Sequence, residues 1–232
     1  MKISLLCPTR KRPKFMKELW ESAYNNAFYK EEIELIFYID SDDEESIKMS
    51  KLLGSNVRTV IDERGDGNLS MMWNRCYEKS SSDIVMHCGD DIRFRTLNWD
   101  QIVLNEFNKY KDKIVLIYGD DGIRKDDLAT HGFLHKNWIK TVGYFLPPYF
   151  SSDMNDYWLT TVARNIGRLV KIDIYTEHLH PAVGKHELDI THQERIERGK
   201  RDDVRILYES KQDERDEDCK KLNKFIKDNN NE

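Results

Sequence analysis

The sequence predicts an α/β domain, with a mostly parallel central sheet, helices between the strands and a helical C-terminal tail. Short apolar runs at Ile3–Cys7, Ile33–Ile39, Val57–Ile61 and Ile84–His87 alternate with stretches of helical periodicity, the pattern of successive β-α-β units. Carboxylate-bearing turns follow two of these runs, Asp40-Ser41-Asp42-Asp43-Glu44 and Gly89-Asp90-Asp91. The chain's 232 residues suit one large domain, or one domain with an appendage, and allow a sizeable core.

In chain order, Ile3–Cys7 reads as a strand stopped by Pro8, followed by the polar loop Pro8–Pro13. Phe15, Leu19 and Ala23, with Met16 and Trp20 beside them, recur at helical spacing and predict an amphipathic helix over 14–28. Ile33–Ile39 closes a βαβ unit whose crossover should be right-handed. A helix from Glu44 to Leu53 ends at Gly54, a favourable C-cap. Val57–Ile61 is the third strand, Arg64-Gly65-Asp66-Gly67-Asn68 a loop, and Leu69–Lys79 the next helix. Ile84–His87 then runs into Gly89-Asp90-Asp91. Beyond it, Trp99–Tyr110 predicts a helix, Ile114–Tyr118 a strand, 119–122 a loop and His131–His135 a short strand. Asn137–Thr141 makes a helical turn, and two prolines keep the aromatic stretch 143–150 from regular helix. Asp153–Gly167 predicts a helix and Val170–Thr176 a strand, ending in Glu177-His178-Leu179-His180-Pro181. From Gln193 the composition turns charged: 195–200 and 211–227 read as exposed helix, with a frayed end at 228–232.

Composition excludes several classes. No run approaches the roughly 18 apolar residues of a membrane span, and the N-terminal apolar run is too short for a signal peptide. Cys7, Cys76, Cys88 and Cys219 show no CxxC pair and no metal-ligand spacing, the expectation for a reduced, cytoplasmic protein of a bacterium or a virus-infected host cell. A net charge of −5 argues against a partner held mainly through phosphates, although Arg10–Lys14 and Arg195–Arg201 are locally basic.

Ligands in open α/β sheets gather at the carboxyl ends of strands. Asp90 and Asp91 stand at such an end, where a hard cation and its phosphates would sit, although Gly-Asp-Asp is also ordinary turn chemistry. Asp40 closes the second strand and can accept hydrogen bonds from a base or ribose; its alternative role is a helix cap. His178 and His180 lie two apart by a strand end and share a face if the strand continues. Imidazole with carboxylate oxygen suits manganese or a similar divalent ion better than zinc. Asp153 and Asp156 lie near one helix start, where either could act as general base to a hydroxyl, Asp156 being the favoured candidate. Tyr144, Tyr149, Phe150, Tyr157 and Trp158 could stack on a sugar, though aromatics so spaced are more often core.

The residues Ser4–Pro13, Asp40, Gly89-Asp90-Asp91 and His178-Leu179-His180-Pro181, in that order and spacing, resemble a GT-A glycosyltransferase of the family 2 type over about residues 1–190. The resemblance implies a single GT-A (Rossmann-like) α/β domain with a mixed, mostly parallel sheet: a nucleotide-sugar half over 1–92, an acceptor half over 93–192, and a charged helical extension over 193–232. Pro8, Thr9, Arg10 and Arg12 would form the loop around the nucleotide, and Asp40 would meet the base. The family's Asp-x-Asp holds ribose and metal. Here Gly89 replaces its first aspartate, Asp90 takes the middle position and Asp91 falls on the metal-binding aspartate. His178 or His180 would complete the metal site, and Asp156 matches the family's acceptor-side base by location alone.

The implied activity is metal-dependent (Mn or Mg) transfer of a sugar from a nucleotide-diphosphate donor, such as a UDP-sugar, to a hydroxyl acceptor. A glycan, a small molecule and a hydroxymethylated pyrimidine in viral DNA all remain open as acceptor; the last would make this a DNA modification enzyme. A sugar nucleotidyltransferase is the rival enzyme, but it should carry a glycine-rich loop after the first strand and Pro8–Pro13 has none. A catalytically inactive nucleotide-sugar-binding module is the rival suggested by Gly89.

Overall fold

The computed structural model describes residues 1–65, 67–124 and 126–230. Asp66 of the predicted 64–68 loop and the last two residues of the predicted frayed end, Asn231 and Glu232, lie outside them, as does Lys125. The first half is β1 (Ile3–Thr9), α1 (Pro13–Asn26), β2 (Ile33–Asp40), α2 (Glu44–Leu52), β3 (Val57–Asp62), α3 (Leu69–Lys79) and β4 (Ile84–His87). The second half is β5 (Ile92–Phe94), α4 (Trp99–Asn108), β6 (Leu116–Asp120), β7 (Gly132–His135), α5 (Lys136–Val142), α6 (Asn155–Asn165) and β8 (Leu169–His178). Three further helices follow: α7 (Ile190–Arg201), α8 (Val204–Ser210) and α9 (Gln212–Asn230).

The strands form one sheet in the order β3-β2-β1-β4-β7-β6-β8-β5. The pairings β1–β2, β2–β3, β1–β4 and β6–β8 are parallel, whereas β4–β7, β6–β7 and β5–β8 are antiparallel. Only β7 and β5 therefore oppose the other strands, and the expectation of a mixed, mostly parallel sheet holds.

Alternation of side chains sends apolar residues to both faces. Ile3, Leu5 and Cys7 of β1 join Leu35, Phe37 and Ile39 of β2 against α1 and α4. Leu6, Ile36 and Val85 face the other way, towards α5, α6 and α9. Parallel strands buried on both faces need such continuous apolar runs.

Three differences from the sequence expectations position the site. β1 runs through Pro8 to Thr9 instead of stopping at the proline. The β4 ladder ends at Leu6, and residue 8 points its backbone to the same side as residue 6, so the missing N–H leaves no ladder bond unmade. β5 was not foreseen; it pairs Ile92 with His178 and so draws the end of β8 beside Asp91, a junction sealed by Leu179 N–H donating to the Asp91 carbonyl at 2.8 Å. Finally, the charged tail is exposed on one face only. Leu222 and Asp218 of α9 are buried against α5 and α6, and His192 of α7 is buried as well.

Candidate active site

The strand order reverses at β1: the chain steps outwards to β2 and β3, then returns to β1's other side with β4. Such a switch point opens a crevice at the carboxyl ends of the strands. Thr9 ends β1, Asp40 ends β2, Gly89-Asp90-Asp91 follows β4, Asp121 follows β6, and His178 ends β8. α7 lies over this edge.

On the β1–β2 side, Arg10 donates to Asp40 Oδ2 at 2.8 Å and to both oxygens of Asp42 at 2.6 and 2.9 Å. Asp40 Oδ1 is buried with no hydrogen-bond partner among the described residues, an arrangement expected to be satisfied by a ligand. Burial pushes the Asp40 carboxyl up, against the opposing pull of Arg10; the exposed Asp42 is held down at about 2 by its hydrogen bonds from Arg10. Beside Asp40 lies a cavity of about 470 Å³, walled by Pro8, Thr9 and Tyr38 below and by Thr191, Glu194 and Arg198 of α7 above. That volume is within the range of small-ligand sites.

Asp90 is turned to scaffolding. Its Oδ2 accepts from Thr9 Oγ1 at 2.7 Å and its Oδ1 from Arg12 Nη1 at 2.8 Å. Arg12 continues to Asp189, just before α7, through Nε and Nη2, both at 2.7 Å. One guanidinium thus ties the loops after β1 and β4 to α7. The structure brings Pro8, Thr9, Arg10, Arg12, Asp40 and Asp90 into one neighbourhood, although both oxygens of Asp90 are occupied by protein partners.

Asp91 faces imidazoles. His178 Nε2 lies 3.4 Å and His192 Nε2 3.8 Å from its Oδ2. On the far side of His178, Nδ1 is 3.6 Å from Asp121 Oδ2, too long for a firm hydrogen bond. Burial raises the Asp91 carboxyl, but His178 and His192 outweigh it and hold it well below the usual range. Burial likewise lowers His178, and Asp121 and Asp91 overcome it, lifting the ring to about 9. His180 packs edge-on between His178 and His192, with ring centroids 5.1 and 5.4 Å away; its Nδ1 accepts from Ala182 N–H at 3.1 Å, and burial first, then positive His178, lowers it to about 4.

Carboxylate oxygen and imidazole nitrogen are donor types that suit a divalent cation. A buried carboxylate oxygen faces two ring nitrogens, and Asp121 Oδ2 and His178 Nδ1 are buried without hydrogen-bond partners among the described residues. Among the described residues, the group whose donor atoms all lie within 4.8 Å of one another is a different one, His186, Asp189 and His192. There, however, Arg12 donates to both oxygens of Asp189, and a guanidinium in place of a cation leaves no vacancy for one. Gly89 has its own reason: a Cβ there would lie 2.5 Å from Asp91 Oδ1, so a side chain at 89 competes with the present position of that carboxylate.

Asp153 and Asp156 flank the start of α6, which begins at Asn155, two residues later than expected. Asp153 pairs with Arg195 of α7. Asp156 accepts from Tyr157 N–H at 2.9 Å, and burial pushes its carboxyl up to about 6. The aromatic stretch is mainly core: Phe150 and Trp158 are buried, and Tyr144 O–H and Trp158 Nε1–H both donate to Asp218 of α9. Tyr157 alone of the five is exposed.

Sequence reasoning missed Asp121, Asp189 and His192. Asp121 stands in a Gly-Asp-Asp-Gly turn whose usefulness depends on where β8 ends. Asp189 and His192 lie in a charged segment with no strand-end signal; the only hint was a cap-like aspartate three residues before a histidine.

No protein-family model matches the sequence, and no curated protein is significantly similar to it. Solved structures do match. TarS from S. aureus (residues 1–349, in complex with UDP-GlcNAc) aligns over 82% of this chain and 60% of its own, at 15% identity and a TM-score of 0.61. The mannosyltransferase PcManGT from Pyrobaculum calidifontis, in complex with GDP-Man and Mn2+, aligns over 88% of this chain and 64% of its own, at 11% identity and a TM-score of 0.61. A longer TarS structure aligns at a TM-score of 0.59 and 14% identity over 76% of this chain, which spans only 37% of it. The chain is thus shorter than these proteins, and what it shares with them is the GT-A glycosyltransferase fold.

Proposed function

We propose that this protein is a metal-dependent glycosyltransferase that moves a sugar from a nucleotide-diphosphate donor to a hydroxyl acceptor. The observation that carries this reading is the adjacency of two features at one switch point: the cavity with the unpartnered Asp40 oxygen, and Asp91 facing two imidazoles. A donor's nucleoside would lie in the cavity, its base accepted by Asp40, with its diphosphate towards Asp91. Neighbours of the same fold are in complex with UDP-GlcNAc or with GDP-Man and Mn2+, which supports a UDP- or GDP-sugar and manganese here.

Asp91 and a histidine would hold the cation, and Pro8–Arg12 would wall the nucleotide. A bound divalent ion supplies positive charge where the diphosphate leaving group gathers negative charge. In an inverting reaction, Asp156 or Asp153 would take the acceptor proton, and a carboxyl poised at about 6 suits Asp156 to that task. The acceptor we favour is a carbohydrate or small-molecule hydroxyl. A DNA acceptor needs free cations along a groove, whereas Arg10, Arg12 and Arg195 are engaged with carboxylates. The four free cysteines suit a reducing cytoplasm, and among the described residues no helix is long and apolar enough to cross a membrane. Incubation with a panel of UDP-, GDP- and dTDP-sugars and Mn2+, reading released nucleoside diphosphate, tests the activity. Binding of a donor with neither transfer nor hydrolysis would instead make the protein a nucleotide-sugar-binding module.

A further inference from the structure

We propose that Glu194 of α7 recognises the donor's ribose, accepting a hydrogen bond from a sugar hydroxyl at its Oε2, so that the protein selects ribonucleotide over deoxyribonucleotide donors. This deepens the glycosyltransferase reading and rests on its placement of the nucleoside in the cavity beside Asp40. A nucleoside brings a base edge and a hydroxylated sugar into that cavity, and both need polar partners once water is displaced. The strand end that follows β4 has none to spare for the sugar. Gly89 has no side chain, both oxygens of Asp90 are taken by Thr9 and Arg12, and Asp91 faces His178. Among the described residues, the carboxylates that line the cavity are Asp40 on its floor and Glu194 and Glu197 on α7. Glu197 is exposed, whereas the Glu194 side chain is only 19% exposed.

Glu194 is held by cations from other segments. Its Oε1 accepts from Arg64 Nη2 at 2.8 Å. Its Oε2 lies 3.6 Å from Arg10 Nε and 4.0 Å from Arg198 Nη1, too far for a firm hydrogen bond with either. Arg10 Nε is itself buried with no hydrogen-bond partner among the described residues. A donor without a partner thus stands beside a carboxylate oxygen with room for one. A hydroxyl, which accepts and donates at a single oxygen, is the group that completes both. The same guanidinium reaches Asp40 through Nη1 at 2.8 Å, so the base acceptor and the ribose acceptor lie within the span of one nucleoside. α7 is fixed over this place. Thr191 Oγ1 donates to the Arg10 carbonyl at 2.8 Å, and Arg198 crosses Gly67, where a Cβ would lie 2.6 Å from its Cδ. The competing arrangement is a plain ion pair, in which Glu194 does no more than hold Arg64.

The test is calorimetric binding of UDP and GDP, each against its 2′-deoxy and 3′-deoxy counterparts, to the full chain with Mn2+. In the unaltered protein, removing one of the two hydroxyls should weaken binding about 10- to 100-fold, the worth of a hydrogen bond to a charged group. Glu194→Ala should bring that ratio close to one. Glu194→Gln, which keeps the shape and an acceptor but not the charge, should lower it roughly fivefold, and Glu197→Ala should leave it unchanged. A plain ion pair predicts that Glu194→Ala weakens all forms alike and keeps the ratio, a result that overturns the assignment. Equal binding of all forms by the unaltered protein overturns it too. If the alanine variant fails to fold, an unchanged ratio in Glu194→Gln does the same. Sugar transfer is read separately in the donor panel: transfer without hydroxyl discrimination sinks this inference and leaves the activity standing, whereas no binding of any nucleotide sinks both.

Discussion

Arg12 is the most informative residue to remove, because three segments meet on it. Its guanidinium joins Asp90 after β4 to Asp189 before α7. Arg12→Met keeps an unbranched apolar side chain but removes the guanidinium that lies over Phe15 and leaves two carboxylates without their cation. Breaking a buried ion pair by removing one partner costs about 3–5 kcal/mol. The Asp90 side chain is 4% exposed and would bear most of that penalty, whereas the Asp189 side chain is 27% exposed and is partly rehydrated. The lower end applies, about 3 kcal/mol, or a fall in Tm of about 6–12 °C for a chain of this size. Urea unfolding followed by tryptophan fluorescence and circular dichroism gives the number. Adding Asp90→Asn removes the stranded charge while keeping an acceptor for Thr9, and should restore about half of the loss. A single variant that loses less than about 1 kcal/mol, or a double variant no more stable than the single, would refute the claim that this charge pair holds α7 to the sheet edge.

Further outcomes follow from the same geometry. If the unpartnered oxygen of Asp40 accepts from the base as proposed, Asp40→Asn should keep its bond from Arg10 yet weaken UDP or GDP by about tenfold, read by calorimetry; unchanged affinity would remove Asp40 from the nucleotide site. Gly89→Ala puts a Cβ against Asp91 Oδ1 and should weaken Mn2+ by about tenfold while nucleotide binding in EDTA stays the same; equal loss of both would mean general disruption. If Asp156 is the base, transfer should rise with pH through about 6 as its carboxyl ionises, and Asp156→Asn should abolish that limb; a limb that survives in the variant assigns the base elsewhere. Its folded pKa is raised, so its contribution to stability is full below the unfolded value near 3.8 and is lost as pH rises through about 6.

The first half of the fold was legible because its strands are continuous apolar runs and its helices carry their own punctuation. Asn68 caps α3 through its side chain, and Gly54, at φ +96°, follows the end of α2. The second half was harder to read. Ile92–Phe94 is too short to show a period of two, yet as β5 it carries His178 to Asp91. The 114–118 strand was set two residues early, which hid that Asp121 stands at its carboxyl end. The positions of Asp40 and Asp91 at strand ends could be read from local order alone, and topology puts those strand ends together. His192 could not, since nothing local says that α7 folds back over the sheet edge. The charged tail looked solvated because its apolar residues are few, and burial of Leu222, Arg215 and Asp218 depends on the facing helices α5 and α6.

The most direct test of the account is nucleoside diphosphate release from the donor panel, run with Mn2+, with EDTA and with Asp91→Ala. The account predicts release from one donor class with Mn2+. It predicts loss in EDTA, and a loss of at least about 100-fold in an Asp91→Ala protein that still folds, since removing cation charge stabilisation costs about 3 kcal/mol or more. Silence across the panel, with no donor shifting the melting temperature, would contradict it, and so would release that is indifferent to both EDTA and Asp91.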